Sequence, residues 1–84
     1  MNVKILYFAS LREAVGVAEE EFALPADIAS VGALRAHLAA RGEGWAALDE
    51  GRNVRAAVNQ RMARAEAPVQ GGDEIAFFPP VTGG

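Results

Sequence analysis

The sequence contains no cysteine, which excludes disulfide bonds, cysteine-ligated metal sites and a thiol nucleophile. The single histidine, His37, has no second ligand positioned by the sequence, so we interpret it as a flanking or solvated helix residue. Serine occurs only at Ser10 and Ser30, where a role as helix cap explains it better than a role as nucleophile. The sequence therefore predicts neither a bound metal nor a catalytic side chain.

Positive charge is scarce and scattered. The net charge is −3, and the eight lysine and arginine residues form no basic run. Nucleic-acid binding by counterion release needs clustered positive charge, so we do not expect it. The apolar start, MNVKILYFAS, is too short to span a membrane and lacks a signal-peptide cleavage pattern. We therefore expect a cytoplasmic protein that binds neither nucleic acid nor membrane.

Bulky apolar residues are also few. The chain has 84 residues, enough for one domain, and 18 of its hydrophobic residues are alanine. Such a domain buries only about 60–65% of the surface that its unfolded chain exposes. Most large apolar side chains are needed for the core, which leaves little room for an internal ligand pocket. Function is therefore expected on a surface or at a terminus.

Hydrophobic periodicity predicts alternating strands and helices. The predicted strands cover residues 2–8, 19–24, 54–58, 61–65 and 74–78, and the predicted helices cover residues 10–15 and 30–41, with a helical turn around Trp45. In the first strand one face carries Val3, Ile5 and Tyr7 and the other carries Lys4, Leu6 and Phe8. Both faces are largely apolar, so this strand is expected to be central. The run Glu19–Glu21 suits a charged sheet edge or a solvated strand start.

The two predicted helices have recognisable ends. Ser10 is expected to cap the first helix, whose inward residues would be Leu11, Ala14 and Val15, with Gly16 ending it. Ser30 is expected to cap the second helix, whose inward residues would be Val31, Leu34 and Leu38, with Gly42 ending it. Trp45 is expected to close the end of the core beside the second helix.

This order of elements fits an α+β fold, in which one helix packs across a mixed sheet. A parallel pairing of the first and last strands would give the β-grasp, or ubiquitin-like, fold. Another α+β sandwich is the alternative. We expect residues 1–78 to form the domain and residues 79–84 to form a flexible tail.

The last six residues, PPVTGG, are an unusual end for a domain. Pro79 and Pro80 favour a stiff, extended backbone that cannot continue a sheet. Six extended residues reach roughly 20 Å at about 3.3 Å each. Gly83 and Gly84 have no side chains, so this end could enter a narrow channel and approach catalytic groups closely. A frayed terminus is the alternative, but the stiff lead favours a functional tail.

The tail AFFPPVTGG, residues 76–84, closely resembles the C-terminus of the small subunit of molybdopterin synthase, the sulfur carrier of molybdenum-cofactor synthesis. Further similarity lies in KILYFASLREAVG (residues 4–16), VGALRAHLAARG (31–42), AAVNQ (56–60) and GGDEIAFFPP (71–80). The resemblance covers nearly the whole chain, and it implies a β-grasp fold.

The resemblance also implies a carrier that is not an enzyme on its own and holds no permanent cofactor. An E1-like adenylating enzyme would use ATP to activate the carboxylate of Gly84, next to Gly83. A sulfur donor would then convert the acyl-adenylate to a thiocarboxylate. The loaded tail would insert into the large catalytic subunit and supply sulfur to cyclic pyranopterin monophosphate. Two small subunits would flank a dimer of large subunits in a heterotetramer.

A docking surface is needed as well. Phe8 and Phe78 belong to strands that we expect to be neighbours, and Met62 follows a predicted turn. We expect these three to form an exposed apolar patch that binds both partners in turn, as hot-spot aromatics do. The tail residues expected to contact partners are Pro79, Pro80, Val81 and Thr82. The alternative is that Phe8 and Phe78 belong to the core.

Three other functions remain open at this stage. Similar carriers ending in Gly-Gly serve thiamine synthesis, tRNA thiolation and some amino-acid synthesis, although FFPPVTGG favours the molybdopterin pathway. A ubiquitin-like modifier would share the adenylation step but end in an isopeptide bond to lysine. A purely structural interaction domain would tolerate the loss of Gly84.

Overall fold

The computed structural model describes residues 1–49 and 53–80. The elements, in chain order, are β1 (Asn2–Tyr7), α1 (Ala9–Val15), β2 (Glu19–Ala23), α2 (Val31–Ala39), a 3₁₀ helix (Gly44–Leu48), β3 (Arg55–Val58), β4 (Arg61–Ala63) and β5 (Glu74–Phe78). The predicted order and type of the elements are confirmed. Predicted strand boundaries differ from these by at most two residues, as is usual where element ends fray.

The five strands form one mixed sheet in the order β2-β1-β5-β3-β4. Strands β1 and β5 run parallel, and the other neighbouring pairs run antiparallel. The last strand therefore lies in the middle of the sheet. Together with a helix packed across one face, this arrangement is the β-grasp fold, as predicted.

The core lies between the sheet and the helices. It is built mainly from the alternate residues of β1 and β5 and from one face of α2, namely Val3, Ile5, Tyr7, Ile75, Phe77, Val31, Leu34 and Leu38. Each of these side chains is buried, which confirms the faces that periodicity predicted for β1 and α2. The opposite face of the sheet has no helix described across it.

Helix α1 begins differently from the prediction. Its N-cap is Phe8, which makes no side-chain capping bond, and Ser10 lies within the first turn. The cap prediction for Ser10 is therefore wrong, because the chain enters the helix directly from β1. Ala14 is exposed and was wrongly expected to face inward, whereas Leu11 is buried. Gly16 ends the helix as predicted, in the left-handed conformation at φ 85°.

Helix α2 has the predicted beginning but a shorter end. The Oγ of Ser30 accepts a hydrogen bond from the backbone N–H of Ala33 at 3.1 Å, which confirms the N-cap. The helix ends at Ala39, two residues before the predicted end at Arg41. The backbone N–H of Arg41 donates to the carbonyl oxygen of Leu38, so the chain tightens into a 3₁₀-type turn at this point.

A polar cluster ties the β2 edge to the end of the core. The Tyr7 hydroxyl and an Arg41 guanidinium N–H both donate to Oε1 of Glu20, each at 2.7 Å. The Arg41 guanidinium also lies 4.5 Å from the ring centroid of Trp45, which meets the Tyr7 ring edge-on at 5.4 Å. Burial and the hydrogen bond to Glu20 raise the pKa of Tyr7 well above its ordinary value, so the hydroxyl remains a donor.

Strand β2 lies at one edge of the sheet, which confirms the interpretation of Glu19–Glu21 as an edge run. Within the part of the chain that the structure describes, no helix is long and apolar enough to cross a membrane.

Candidate docking face and carrier terminus

The face of the sheet away from α2 carries a band of apolar side chains. Because side chains alternate along each strand, residues paired across the sheet share a face. The register pairs Leu6 with Ala76, Ala76 with Ala57, and Ala57 with Met62. These four positions form one row across four strands, and Ala57 is not a member of the core cluster.

Phe8 and Phe78 extend this band by a second row. Strand β1 pairs Tyr7 with Phe77, and the backbone N–H of Phe8 donates to the carbonyl oxygen of Phe77 at 3.1 Å. Phe8 keeps an extended backbone, with φ −121° and ψ 152°, so its side chain alternates onto the outer face beside Phe78. We call the six residues of the two rows the outer patch: Leu6, Phe8, Ala57, Met62, Ala76 and Phe78.

Exposure separates the aromatic and methionine residues of the outer patch from the core, whereas Ala57 is buried. Phe8 is 48% exposed and Met62 is 67% exposed, and Phe78 is partly buried. The alternative that Phe8 and Phe78 belong to the core is therefore wrong for this structure. The three residues do share a face as predicted, but β3 separates Phe78 from Met62 by two strand spacings, or about 10 Å. Ala57 lies between them.

Charged residues border the outer patch. On the β2 side, Lys4 Nζ lies 3.3 Å from a carboxylate oxygen of Glu19, and both side chains are about half exposed. On the other side, Arg55 is exposed and is paired with Phe78 across β3 and β5. Such exposed charges add little to stability, but a charged rim around an apolar centre is the usual anatomy of a binding surface.

The tail leaves the sheet from the outer patch itself. Phe78 ends β5, and Pro79 and Pro80 follow it directly, both partly buried. The remaining predicted tail residues, Val81, Thr82, Gly83 and Gly84, lie outside the described residues. A partner that covers the outer patch would therefore also meet the first residues of the tail.

Sequence reasoning missed three members of the outer patch, namely Leu6, Ala57 and Ala76. The alternation along β1 already placed Leu6 on the same face as Phe8, and that signal could have found it. The positions of the two alanines depend on strand register, which no local pattern reveals. The partners of Arg41 were missed as well, because Glu20 lies 21 residues away in sequence, and Trp45, although near in sequence, lies in a separate helical element.

The other candidate sites have structural explanations. His37 is exposed, and its ring centroid lies 5.4 Å from that of Phe22 on the neighbouring strand β2. Among residues 1–49 and 53–80, no three His, Cys, Asp or Glu side chains are grouped to hold a metal ion. Trp45 is partly buried against the core beside α2, as predicted.

Known proteins of similar sequence show the family to which this chain belongs. A model of the ThiS family matches residues 5–84. This chain belongs to the ThiS family. The molybdopterin synthase sulfur carrier subunit of Escherichia coli is 51% identical to it over 83 residues, covering 98% of this chain and 99% of the relative. The resemblance drawn from the tail and the strands is therefore confirmed over the full chain.

Two solved structures illustrate how this fold is used. One chain in the complex of subunits 1 and 2 of the molybdopterin-converting factor from Helicobacter pylori is 30% identical, with a TM-score of 0.61 and full coverage of both chains. Small archaeal modifier protein 1 of Haloferax volcanii is 26% identical, with a TM-score of 0.74, covering 95% of this chain and 98% of its own. The fold is thus shared by a chain of a molybdopterin-converting factor complex and by a protein named as a modifier.

Proposed function

We propose that this chain is the sulfur-carrier subunit of a molybdopterin synthase, with the carboxyl group of Gly84 as its working group. The observation that carries the proposal is the junction at Phe78, where an apolar docking face continues directly into the tail. The 51% identity to a protein named as such a carrier supports the pathway. The chain supplies the cargo and the docking surface, and its partners supply catalysis.

Loading begins at the terminal carboxylate, which is a poor acyl donor because its leaving group would be oxide. Attack by the Gly84 carboxylate on the α-phosphate of ATP releases pyrophosphate and forms an acyl-adenylate. Hydrosulfide supplied by a donor then attacks the acyl carbon, expels AMP and loses its proton, leaving a thiocarboxylate. An E1-like adenylating enzyme would perform this step, and the carrier needs no bound cofactor. The lack of a side chain at Gly83 and Gly84 lets the backbone approach that enzyme's groups.

Delivery uses the same end in a second enzyme. The thiocarboxylate sulfur attacks a carbon of cyclic pyranopterin monophosphate and displaces the oxygen bonded to that carbon. Water then cleaves the acyl–sulfur bond and restores the carboxylate. A dithiolene needs two sulfur atoms, so two loaded carriers are consumed for each molybdopterin. The outer patch would hold the carrier on the large catalytic subunit, and a heterotetramer would place two carriers on one dimer of large subunits. Burial of Phe8, Met62 and Phe78 would provide most of the affinity.

A reconstitution assay tests this function. The thiocarboxylated chain, the matching large subunit and cyclic pyranopterin monophosphate should yield molybdopterin, with about two carriers consumed per product. The carboxylate form serves as the control and should yield none. Normal binding to the large subunit without any sulfur transfer from the loaded chain would reject the proposal.

A protein-modifier function is the second candidate, because the chain also resembles small archaeal modifier protein 1. A modifier forms isopeptide bonds to lysine, and Lys4 is the only lysine at which this chain could be joined to a second copy of itself. Lys4 lies beside the outer patch in contact with Glu19. Incubation with an activating enzyme, ATP and a cell extract separates the two functions. Conjugates of increasing mass indicate a modifier, and a free chain with one oxygen replaced by sulfur indicates a carrier.

A further inference from the structure

The two edges of the sheet differ in how they meet solvent. Edge strand β2 carries three consecutive glutamates, Glu19–Glu21, and such a run of charge blocks pairing with another chain. Edge strand β4 has only three residues, Arg61–Ala63, and its middle residue is Met62. Met62 also belongs to the outer patch. The β4 edge is therefore continuous with the docking face, whereas the β2 edge is closed by its own charge.

The register shows which backbone groups of β4 face outward. Asn59 and Gln60 form a two-residue hairpin turn with positive φ angles of 51° and 70°, as in a type I′ turn. In such a hairpin the residues flanking the turn, Val58 and Arg61, exchange backbone hydrogen bonds, and the next pair does not. Met62 belongs to that next pair, so its N–H and C=O point away from β3.

A second bond supports this assignment. The backbone N–H of Asn59 donates to the carbonyl oxygen of Glu74 at 2.7 Å, so residues of odd number in β3 face β5. The backbone N–H and C=O of Ala57 therefore point to β5. No ladder bond then joins Ala57 to Met62, its paired residue in β4. Among the backbone hydrogen bonds outside the strand ladders in residues 1–49 and 53–80, none reaches either polar group of Met62.

The surroundings of this edge favour one kind of strand. A shallow, open surface of about 690 Å³ runs along β4 and is lined by Met62, Ala67 and Pro68 among its apolar residues. Its charged residues are two arginines, Arg61 and Arg64, and one carboxylate, Glu66, so positive charge prevails. Both arginines are exposed. A second copy paired edge to edge about a two-fold axis would bring its own arginines against these, which repels it. An extended segment with carboxylate side chains would instead be attracted.

We propose that the β4 edge adds a strand from the large catalytic subunit, an extended acidic segment whose backbone bonds to the N–H and C=O of Met62. This rests on the proposed function, because it assigns a second contact to the same partner. The contact is β-augmentation, in which main-chain bonds give affinity and flanking side chains give specificity. An edge of three residues is too short to hold such a strand alone, so it works as an extension of the outer patch.

Hydrogen exchange of the unmodified protein tests the inference directly. In the free carrier the Met62 amide should exchange rapidly, whereas the Ala57 amide, bonded within the sheet, should be protected. Addition of the matching large subunit should slow exchange at Met62 at least tenfold. Unchanged exchange at Met62 in a complex that is otherwise fully formed overturns the inference. Protection that appears instead on concentrating the carrier alone also overturns it, because the occupant would then be a second copy.

A pair of variants measures the backbone bond. Met62→Ala removes the side chain and keeps the N–H, and Met62→Pro removes both. Because the Met62 N–H faces outward, proline removes no ladder bond of the hairpin itself. We expect Met62→Pro to bind the large subunit about tenfold more weakly than Met62→Ala, the effect of one lost interface hydrogen bond. Equal affinities for the two folded variants contradict the inference, and if the proline variant unfolds, hydrogen exchange decides.

Charge provides an independent control. Arg61→Glu should weaken binding to the large subunit and reduce its salt dependence, whereas Arg61→Lys should change neither by more than about twofold. Failure of this inference is distinguishable from failure of the proposed function. A carrier that binds and transfers sulfur normally while Met62 stays unprotected refutes only the strand addition. A loaded carrier that transfers no sulfur refutes the function, whatever happens at Met62.

Discussion

Tyr7 and Phe77 stack inside the core with ring centroids 6.4 Å apart and planes inclined by 18°. Each is followed in sequence by an aromatic residue of the outer patch, Phe8 and Phe78. The buried pair thereby holds the two strand ends in register, and the alternation of side chains directs the next two rings outward. One pairing of strands thus builds both the core and the docking face beside the tail.

Truncation of Phe78 tests the docking face. We expect Phe78→Ala to weaken binding to the large subunit about 30-fold, because a hot-spot aromatic contributes about 2 kcal/mol or more. Titration calorimetry measures the affinity, and circular dichroism confirms that the variant is folded. Val17→Ala is a matched control, since Val17 is 41% exposed and lies outside the five strands. Equal affinity for both variants and the unmodified chain would exclude Phe78 from the interface.

The Tyr7 hydroxyl is expected to stabilise the fold. Tyr7→Phe removes its bond to Glu20 but leaves the ring, so the free energy of unfolding should fall by about 1 kcal/mol. Urea denaturation measures the change. In a Glu20→Gln background, Tyr7→Phe should lower the free energy of unfolding by less, because the hydrogen-bond acceptor is no longer charged. An equal cost in both backgrounds would show that the pair is not coupled.

Ionisation of the same residue predicts a pH dependence. The pKa of Tyr7 is raised in the folded state by burial and by Glu20, whereas the unfolded chain has the ordinary value of 10.0. The unfolded state therefore loses its proton first, and this contribution to stability is intact below pH 10 and falls as pH rises above it. Tyr7 is the only tyrosine, so absorbance at the phenolate band follows it alone. Ionisation should coincide with unfolding, and a separate earlier titration in the folded protein would contradict this.

Gly44 is predicted to be intolerant of a side chain. A Cβ at this position would collide with the backbone carbonyl oxygen of Ala14, where the 3₁₀ helix packs on α1. Gly44→Ala should therefore lower the free energy of unfolding by about 1–3 kcal/mol. Gly32→Ala is the comparison variant. A Cβ at Gly32 would make a tight contact with Ala65 at 3.1 Å but would not collide with it, and alanine favours the helix. Gly32→Ala should therefore destabilise the protein less than Gly44→Ala. Thermal unfolding that ranks the two variants in the opposite order would refute the packing argument.

Much of the fold was predictable from periodicity and caps. The alternation in β1 placed Val3, Ile5 and Tyr7 in the core, and Ser30 marked the start of α2, because these signals are local. The end of α2 was predicted too late, since the chain tightens after Ala39 into a 3₁₀-type turn, in which the Arg41 N–H donates to Leu38. The cap at Ser10 failed because α1 begins directly after β1, with Phe8 as its N-cap.

The site was predictable in part. The faces of Phe8, Met62 and Phe78 were predicted correctly, but the gap between Phe78 and Met62 follows from strand order, which no local pattern encodes. The unbonded backbone of Met62 likewise appears only once the hairpin register is known. The roles of Gly83 and Gly84, the activating enzyme, the heterotetramer and the cytoplasmic location stay predictions.

The central claim is that the Gly84 carboxyl group carries the sulfur, and intact-mass analysis after incubation with an activating enzyme, ATP and a sulfur donor tests it most directly. The unmodified chain should gain about 16 mass units as one oxygen is replaced by sulfur. A variant lacking Gly84, or one with a residue added after it, should stay folded and remain unloaded. An extended variant that still gains the sulfur and delivers it to the large subunit would contradict the account.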